Sequence, residues 1–192
     1  MSKKLLILDI DETLIHAREE PLDYQWHFET DLYLVYRRPY LAEFIGFCRE
    51  HFQVAIWTTG GSEFAAQVVK NIFPEDYQLE FVWYQDRCTH YFNEDLYENG
   101  YLKNLYKVKR RGFKLENVIM VDDTPSKLKN NYGNLVPMPE FRGDVNDIEL
   151  LRLMKYLVVL KKEKNIRKVE KRYWVRNGHE INSLFEINNL VL

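Results

Sequence analysis

Leu5-Leu6-Ile7-Leu8-Asp9-Ile10-Asp11-Glu12-Thr13-Leu14 sets four consecutive aliphatic residues directly against a pair of carboxylates. A run without polar alternation suits a strand buried on both faces, the environment of a parallel sheet covered by helices. Acids that follow such a strand fall at its C-terminal end, where open α/β sheets place their ligands. Two aspartates one residue apart also suit phosphoryl transfer. One carboxylate attacks phosphorus while the other handles the leaving-group proton, and a hard cation screens one from the other. Taken alone, the same Asp-x-Asp is equally at home in a solvated turn after a core strand.

Two more buried strands end in chemistry. Phe52 to Trp57 runs into Thr58-Thr59-Gly60-Gly61, and Val118 to Val121 runs into Asp122-Asp123-Thr124-Pro125. Between and after them, the pattern predicts a polar-aromatic β-hairpin from Tyr24 to Tyr36 and a helix opened by Pro39, with Leu41, Phe44, Ile45 and Cys48 on one side. A further helix runs from a Ser62 cap to about Ile72. Strands are expected at Leu79 to Tyr84 and Leu135 to Met138, with a polar excursion from Gln85 to Gly100 before Tyr101-Leu102-Lys103. Asp144 to about Lys164 reads as an amphipathic helix presenting Ile148, Leu151, Met154, Tyr156, Leu157 and Leu160 to the core. Alternation of this kind predicts a Rossmann-like, mostly parallel sheet with helices on both faces. The expected organisation is one domain over 1–192, with a core of about 4–164 and a C-terminal extension over 165–192.

Composition narrows the setting. The 192 residues are 46% hydrophobic and 29% charged, which suits one globular domain rather than a disordered chain. The formal charge of -2 gives no broad electrostatic footprint for nucleic acid. No apolar run approaches the length of a membrane span, and Met1-Ser2-Lys3-Lys4 leads into a strand rather than a signal peptide, so the expected location is cytoplasmic or otherwise intracellular. Basic clusters at Lys107 to Arg111 and Lys161 to Arg176 read as solvated faces. Cys48 and Cys88 form no disulfide framework. Neither has an arginine six positions later to close a cysteine-phosphatase loop, because Val54 and Glu94 stand there. The five histidines show no paired metal spacing, and Gly60-Gly61 lacks the Lys-Ser or Lys-Thr of a P-loop.

A parallel sheet brings the three strand ends to one edge, and the residues found there form a working set. Asp9 and Asp122 offer hard oxygen ligands suited to Mg²⁺. Thr58 offers a hydroxyl donor, and Lys103 offers a charge for phosphoryl oxygens.

Leu8 to His16 resembles the Asp-x-Asp-x-Thr signature of haloacid dehalogenase superfamily phosphatases. More narrowly, it resembles the form found in the phosphatases that act on the C-terminal domain of RNA polymerase II, the NLI-interacting-factor-like family. Arg38-Pro39-Tyr40-Leu41-Ala42-Glu43-Phe44 is similar to that family's Arg-Pro helix start, and Ile56 to Gly60, Tyr101 to Leu105 and Val121 to Pro125 are similar to its later motifs, in order. Asp147 to Leu157, with Lys171-Arg172-Tyr173-Trp174, resembles the tail of the family's ubiquitin-like-domain-containing member.

The resemblance implies that Asp9 is the nucleophile, that Asp11 is the acid and then the base, and that the Asp11 backbone carbonyl joins Asp9 and Asp122 as a metal ligand. Asp123 would act on the metal through water, and Thr58 and Lys103 would hold phosphoryl oxygens. Glu12 and Thr13 would shape the loop. Arg87, beside Cys88, and Phe64, after the second motif, are candidates for family positions near the site, although Phe64 fits a core position as well. The function so implied is a Mg²⁺-dependent phosphomonoesterase working through an aspartyl phosphate on phosphoserine or phosphothreonine in a phosphoprotein or phosphopeptide. Nucleic acid and membrane are not expected partners, and the oligomeric state is open. The alternatives are a small-metabolite phosphatase of the same superfamily and a non-catalytic scaffold on the same fold. The intervals Glu12 to Arg38 and Thr59 to Lys103 are too short for a large cap domain. The site should therefore be an open groove, with Trp26, Phe28, Tyr91 and Phe92 as candidate walls.

Overall fold

The computed structural model describes residues 3–93 and 97–174. In chain order the strands and helices are β1 (Leu5–Leu8), β2 (Ile15–Arg18), β3 (Phe28–Glu29), β4 (Leu34–Arg37), α1 (Leu41–His51), β5 (Gln53–Trp57), α2 (Ser62–Ile72), β6 (Val82–Trp83), β7 (Thr89–Asn93), β8 (Glu98–Leu102), α3 (Tyr106–Lys109), β9 (Val118–Asp122), β10 (Leu135–Pro137) and α4 (Glu149–Leu160). The central sheet has the order β10-β9-β1-β5-β6, with every pair parallel. Register places Leu8 beside both Ile56 and Val121, so Asp9, Thr58 and Asp122 emerge together at the carboxyl edge.

The apolar runs are continuous because both faces of this sheet are covered. Leu6, Leu8, Val54, Ile56, Ile119, Val121 and Val136 pack with buried residues of α1, α2 and α4. The alternate residues Leu5, Ile7, Ala55, Trp57, Val118, Met120 and Leu135 pack with Leu105, Val108 and Leu128, from α3 and the segments around it. The expectation of helices on both faces holds, but the three long helices share one face.

Several elements depart from the sequence reading. The Tyr24 to Tyr36 hairpin is shorter than expected and belongs to a three-stranded antiparallel sheet, β2-β4-β3, whose first strand follows the Asp-x-Asp loop. The expected strand at Leu79 to Tyr84 shrinks to the two residues of β6 at the sheet edge. The polar excursion contains the antiparallel pair β7-β8, in which the Tyr91 ring lies over Gly100 so closely that a Cβ there would come within 2.5 Å of it. Gly61, not Ser62, holds the N-cap of α2, with no side-chain capping bond. Pro39 lies just before the α1 N-cap, which is Tyr40 in a left-handed conformation at φ 63°.

The last helix starts at Glu149, five residues later than expected, because the preceding chain is used otherwise. Asp147 Oδ1 accepts from the Glu149 amide at 2.9 Å and, with Oδ2, holds the buried Arg38 guanidinium at 2.9 and 2.8 Å. The apolar stripe rotates with this start. Ile148 is exposed, Leu151 and Met154 are half-buried, and Leu150, Leu153, Tyr156, Leu157 and Leu160 form the inner face.

The tail as far as Trp174 is part of this packing. Trp174 is buried, stacks on Tyr156 with centroids 5.4 Å apart, and donates Nε1–H to Pro137 O at 2.6 Å. Lys171, expected on a solvated basic face, is instead buried, and its Nζ donates to Ile166 O and Val169 O, each at 2.7 Å. Burial pulls its ammonium down to about 8. The expected extension beyond residue 174 lies outside the described residues. Among the described residues, no helix is long and apolar enough to cross a membrane.

Candidate active site

The loop after β1 is wound tightly enough to present two carboxylates in succession. Thr13 and Leu14 donate backbone N–H to Ile10 O at 3.2 and 2.8 Å, and Glu12 takes a left-handed conformation at φ 56°. That conformation costs a non-glycine residue roughly 1 kcal/mol or more and persists where surrounding contacts fix it. Here Glu12 O accepts from Phe141 N at 2.7 Å, and the Glu12 carboxylate engages His16 Nδ1 at 2.9 Å. Arg38 donates to Thr13 O at 3.0 Å while gripping Asp147, which ties this loop to the start of α4. Glu12, Thr13 and His16 therefore hold the loop in shape.

Asp9, Lys103 and Asp122 are completely buried. Lys103 Nζ lies 2.8 Å from Asp9 Oδ1 and 2.6 Å from Asp122 Oδ2. The outward oxygens face a second lysine: Lys127 Nζ is 3.1 Å from Asp9 Oδ2, 3.6 Å from Asp122 Oδ1 and 3.8 Å from Asp123 Oδ1. Thr124 N–H donates to Asp122 Oδ1 at 2.9 Å, and Thr13 Oγ1 donates to Asp123 Oδ1 at 3.4 Å. Next to this cluster Thr58 Oγ1 donates to Asp11 Oδ2 at 3.0 Å and accepts from Gly60 N–H at 2.9 Å. A Cβ on Gly60 would meet both the Asp11 and the Thr58 oxygens at 3.3 Å, so a larger residue would crowd the pair.

Electrostatics separates the two aspartates of the loop. Burial would raise the Asp9 carboxyl, but the Lys103 and Lys127 ammonium groups outweigh it and hold Asp9 below the usual carboxylate range. Burial, reinforced by the Asp9 charge, pushes Asp11 up to about 6. Asp122 is likewise raised to about 6 by burial and by Asp9. Lys127 is raised, since Asp9, Asp122 and Asp123 overcome the effect of its burial. One ionised carboxylate beside one that holds its proton to near-neutral pH is the division that nucleophile and general acid require.

Oxygens of Asp9, Asp122 and Asp123 all lie within 4.8 Å of one another, the spacing of a shared cation. The donor set fits Mg²⁺, because it is three carboxylates gathered at one point, the hard oxygen ligands that this ion takes. An open groove of about 800 Å³ starts at Asp11 and runs between Thr30 to Tyr33 and the first turns of α2. Tyr33 and Phe64 meet edge to face in its wall, with centroids 5.4 Å apart.

The structure thus brings Asp9, Asp11, Thr58, Lys103, Asp122 and Asp123 together at one edge. The groove walls differ from expectation. Trp26 donates to Glu29, Phe28 lies under Arg37, and Tyr91 lies under Lys129, all away from this groove. Phe92 is half-exposed and likewise does not line it. Arg87 stacks on Trp83 at 5.1 Å rather than entering the cluster. Cys48 is core, and burial raises the thiols of both Cys48 and Cys88. Lys127, which carries no local signal in the sequence, joins the cluster because its nearest carboxylate partner, Asp9, comes from the end of another strand.

The all-parallel central sheet, flanked by helices and carrying a carboxylate and lysine cluster at its carboxyl edge, is similar in fold to phosphatases of haloacid dehalogenase type. The model of the NLI interacting factor-like phosphatase family matches residues 4–167, and the chain belongs to that family. CTD small phosphatase-like protein 2 of Dictyostelium discoideum is 29% identical over 84% of this chain and 28% of its own length. Putative CTD phosphatase-like protein 355R of Invertebrate iridescent virus 3 is 31% identical over 83% of this chain and 97% of its own length. The chain spans between about a quarter and a half of several of the relatives it matches. Fission yeast RNA polymerase II CTD phosphatase Fcp1, solved with beryllium fluoride, superposes with a TM-score of 0.56 at 19% identity, covering 95% of this chain and 56% of that one. An uncharacterized Listeria monocytogenes protein superposes with a TM-score of 0.55 at 18% identity, covering 83% of this chain and 99% of that one.

Proposed function

We propose that the chain is a Mg²⁺-dependent phosphomonoesterase that works through a phosphorylated Asp9 and acts on phosphoserine or phosphothreonine in extended protein segments. The observation that carries this reading is the contrast at the β1 loop: Asp9 is ionised between two lysines, while Asp11 is pushed up to about 6 and aimed by Thr58. In the first half-reaction an Asp9 oxygen bonds to phosphorus as the bond to the leaving oxygen breaks, and the Asp11 proton goes to that oxygen. In the second, water attacks phosphorus, the bond to Asp9 breaks, and the water proton returns to Asp11. Lys103 and the Thr58 hydroxyl would donate to the phosphoryl oxygens as these gain charge. Asp9, the Asp11 backbone carbonyl and Asp122 would hold Mg²⁺, with Asp123 reaching it through water. Bound there, the ion neutralises oxygens of the group being transferred.

Substrate size follows from the groove. The segments next to the site contribute a three-stranded sheet and a hairpin, and neither forms a helical lid among the described residues. An open channel leaves flanking substrate residues to supply binding that a lid would otherwise supply. The relatives named as CTD phosphatase-like proteins point to protein substrates as well. The groove lining carries Asp11, Asp31 and Glu63, and no lysine or arginine among its described residues, so neutral or basic flanks are favoured. A phosphopeptide panel assayed beside sugar and nucleoside monophosphates tests this. At least one phosphoserine or phosphothreonine peptide should give the highest kcat/KM, with basic flanks above acidic ones. A metabolite in first place would make the chain a small-molecule phosphatase. No turnover of any phosphate ester would leave the scaffold reading.

A further inference from the structure

Lys127 faces the same carboxylates that form the candidate cation site. Its Nζ lies within 3.1 to 3.8 Å of the same three oxygen-bearing groups, Asp9, Asp122 and Asp123, that make the candidate Mg²⁺ site. Lys103 serves the inner side of the Asp9 and Asp122 carboxylates and is fully enclosed, whereas the Lys127 side chain is 18% exposed and closes the outer side. The two lysines are also linked through the backbone, since Lys103 N–H donates to Lys127 O at 2.8 Å. The placement of Lys127 is therefore built into the same local structure that places Lys103.

Resting on the reading of this cluster as a cation site, we propose that Lys127 is an internal counterion that a divalent metal displaces when it binds. An ammonium and a metal ion carry the same sign and call on the same oxygens, so they cannot share this space at hydrogen-bond and coordination distances. Without metal, Lys127 screens carboxylates that would otherwise repel one another in a buried site, and the site stays assembled. With metal, those oxygens pass to the ion. Lys127 is thus a positioning residue that sets metal affinity: it weakens binding by competition and stabilises the metal-free fold.

The test is Mn²⁺ and Mg²⁺ binding by the full chain, with Lys127→Met, Lys127→Gln and Lys127→Arg beside wild type. Free Mn²⁺ is counted by electron paramagnetic resonance, Mg²⁺ is followed by competition, and unfolding is measured in chelator and in saturating Mg²⁺. Removal of one charge from contact with the site should tighten binding of both ions roughly tenfold or more. The Met and Gln variants should unfold at lower temperature than wild type in chelator and regain most of the difference in Mg²⁺, whereas Arg should behave as wild type. A merely structural lysine would lower stability equally with and without metal, and that result would overturn the proposal. Unchanged or weaker metal binding by both neutral variants would overturn it while leaving the metal site intact. Absence of Mn²⁺ binding by wild type and variants alike would overturn both the proposal and the metal reading.

Discussion

Replacement of Asp11 by Asn isolates the proton transfer from everything else the site does. The amide keeps the size of the side chain and an oxygen to accept from Thr58, but it has no acidic proton to give. Removing a positioned general acid costs roughly 10²–10⁴-fold, or about 3–5 kcal/mol, when the leaving group is poor. An aryl phosphate leaves without that help, so its loss should be about tenfold or less in the protonation step. The pH dependence follows from the environment of Asp11. Burial and the Asp9 charge push its carboxyl up to about 6, so at pH 7 only about a tenth of the free enzyme carries the proton, and well below pH 6 nearly all of it does. The ratio of wild-type to Asp11→Asn kcat/KM on a phosphoserine peptide cancels ionisation of the substrate itself. This ratio should rise about tenfold as pH falls from 7 to 5 and bend near 6. Steady-state assays of both proteins on the peptide and on p-nitrophenyl phosphate supply the numbers. Equal losses on the two substrates, or a ratio flat across pH, would refute the acid role.

Two further substitutions probe the frame around the site. Trp174→Ala empties a buried stack on Tyr156 and removes the donor to Pro137 O, next to the strand register that carries Asp122; it should cost about 3–5 kcal/mol, readable by urea unfolding, with near-normal turnover while folded. A loss under about 1 kcal/mol would mean that the tail is not part of the core. A Cys48→Ser, Cys88→Ser double variant should retain most of its kcat, because burial keeps both thiols protonated; a dead variant would mean that the nucleophile lies elsewhere.

The parts of this architecture that were legible in the sequence are those encoded locally. Leu5 to Leu8, Val54 to Trp57 and Val118 to Val121 announce buried strands through unbroken apolar runs, and the polar residues that end them fall at one edge by topology alone. What was not legible depends on distant partners. Ile15–Arg18 becomes a strand by pairing with Leu34–Arg37, and Asp147 stays outside the last helix because Arg38, more than a hundred residues earlier, claims its carboxylate. Lys171 carries an ordinary basic residue's signal, yet two backbone carbonyls bury it. The groove walls were misplaced for a related reason. Aromatic content marks candidates, but only the approach of the β3–β4 turn to α2 selects Tyr33 and Phe64. Lys127 is the functional counterpart of these cases, a lone basic residue whose role appears once Asp9 and Asp123 are brought beside it.

The covalent step is the centre of the account, and trapping it is the most direct measurement. Asp11→Asn mixed with an aryl phosphate and Mg²⁺ should still form the phosphoryl bond to Asp9 but hydrolyse it slowly, so the intermediate accumulates. Rapid acid quench, borohydride reduction and peptide mass spectrometry should then find homoserine at position 9, with no such product in an Asp9→Asn control. Release of phosphate without modification at position 9, or modification at a cysteine or histidine instead, would contradict the account.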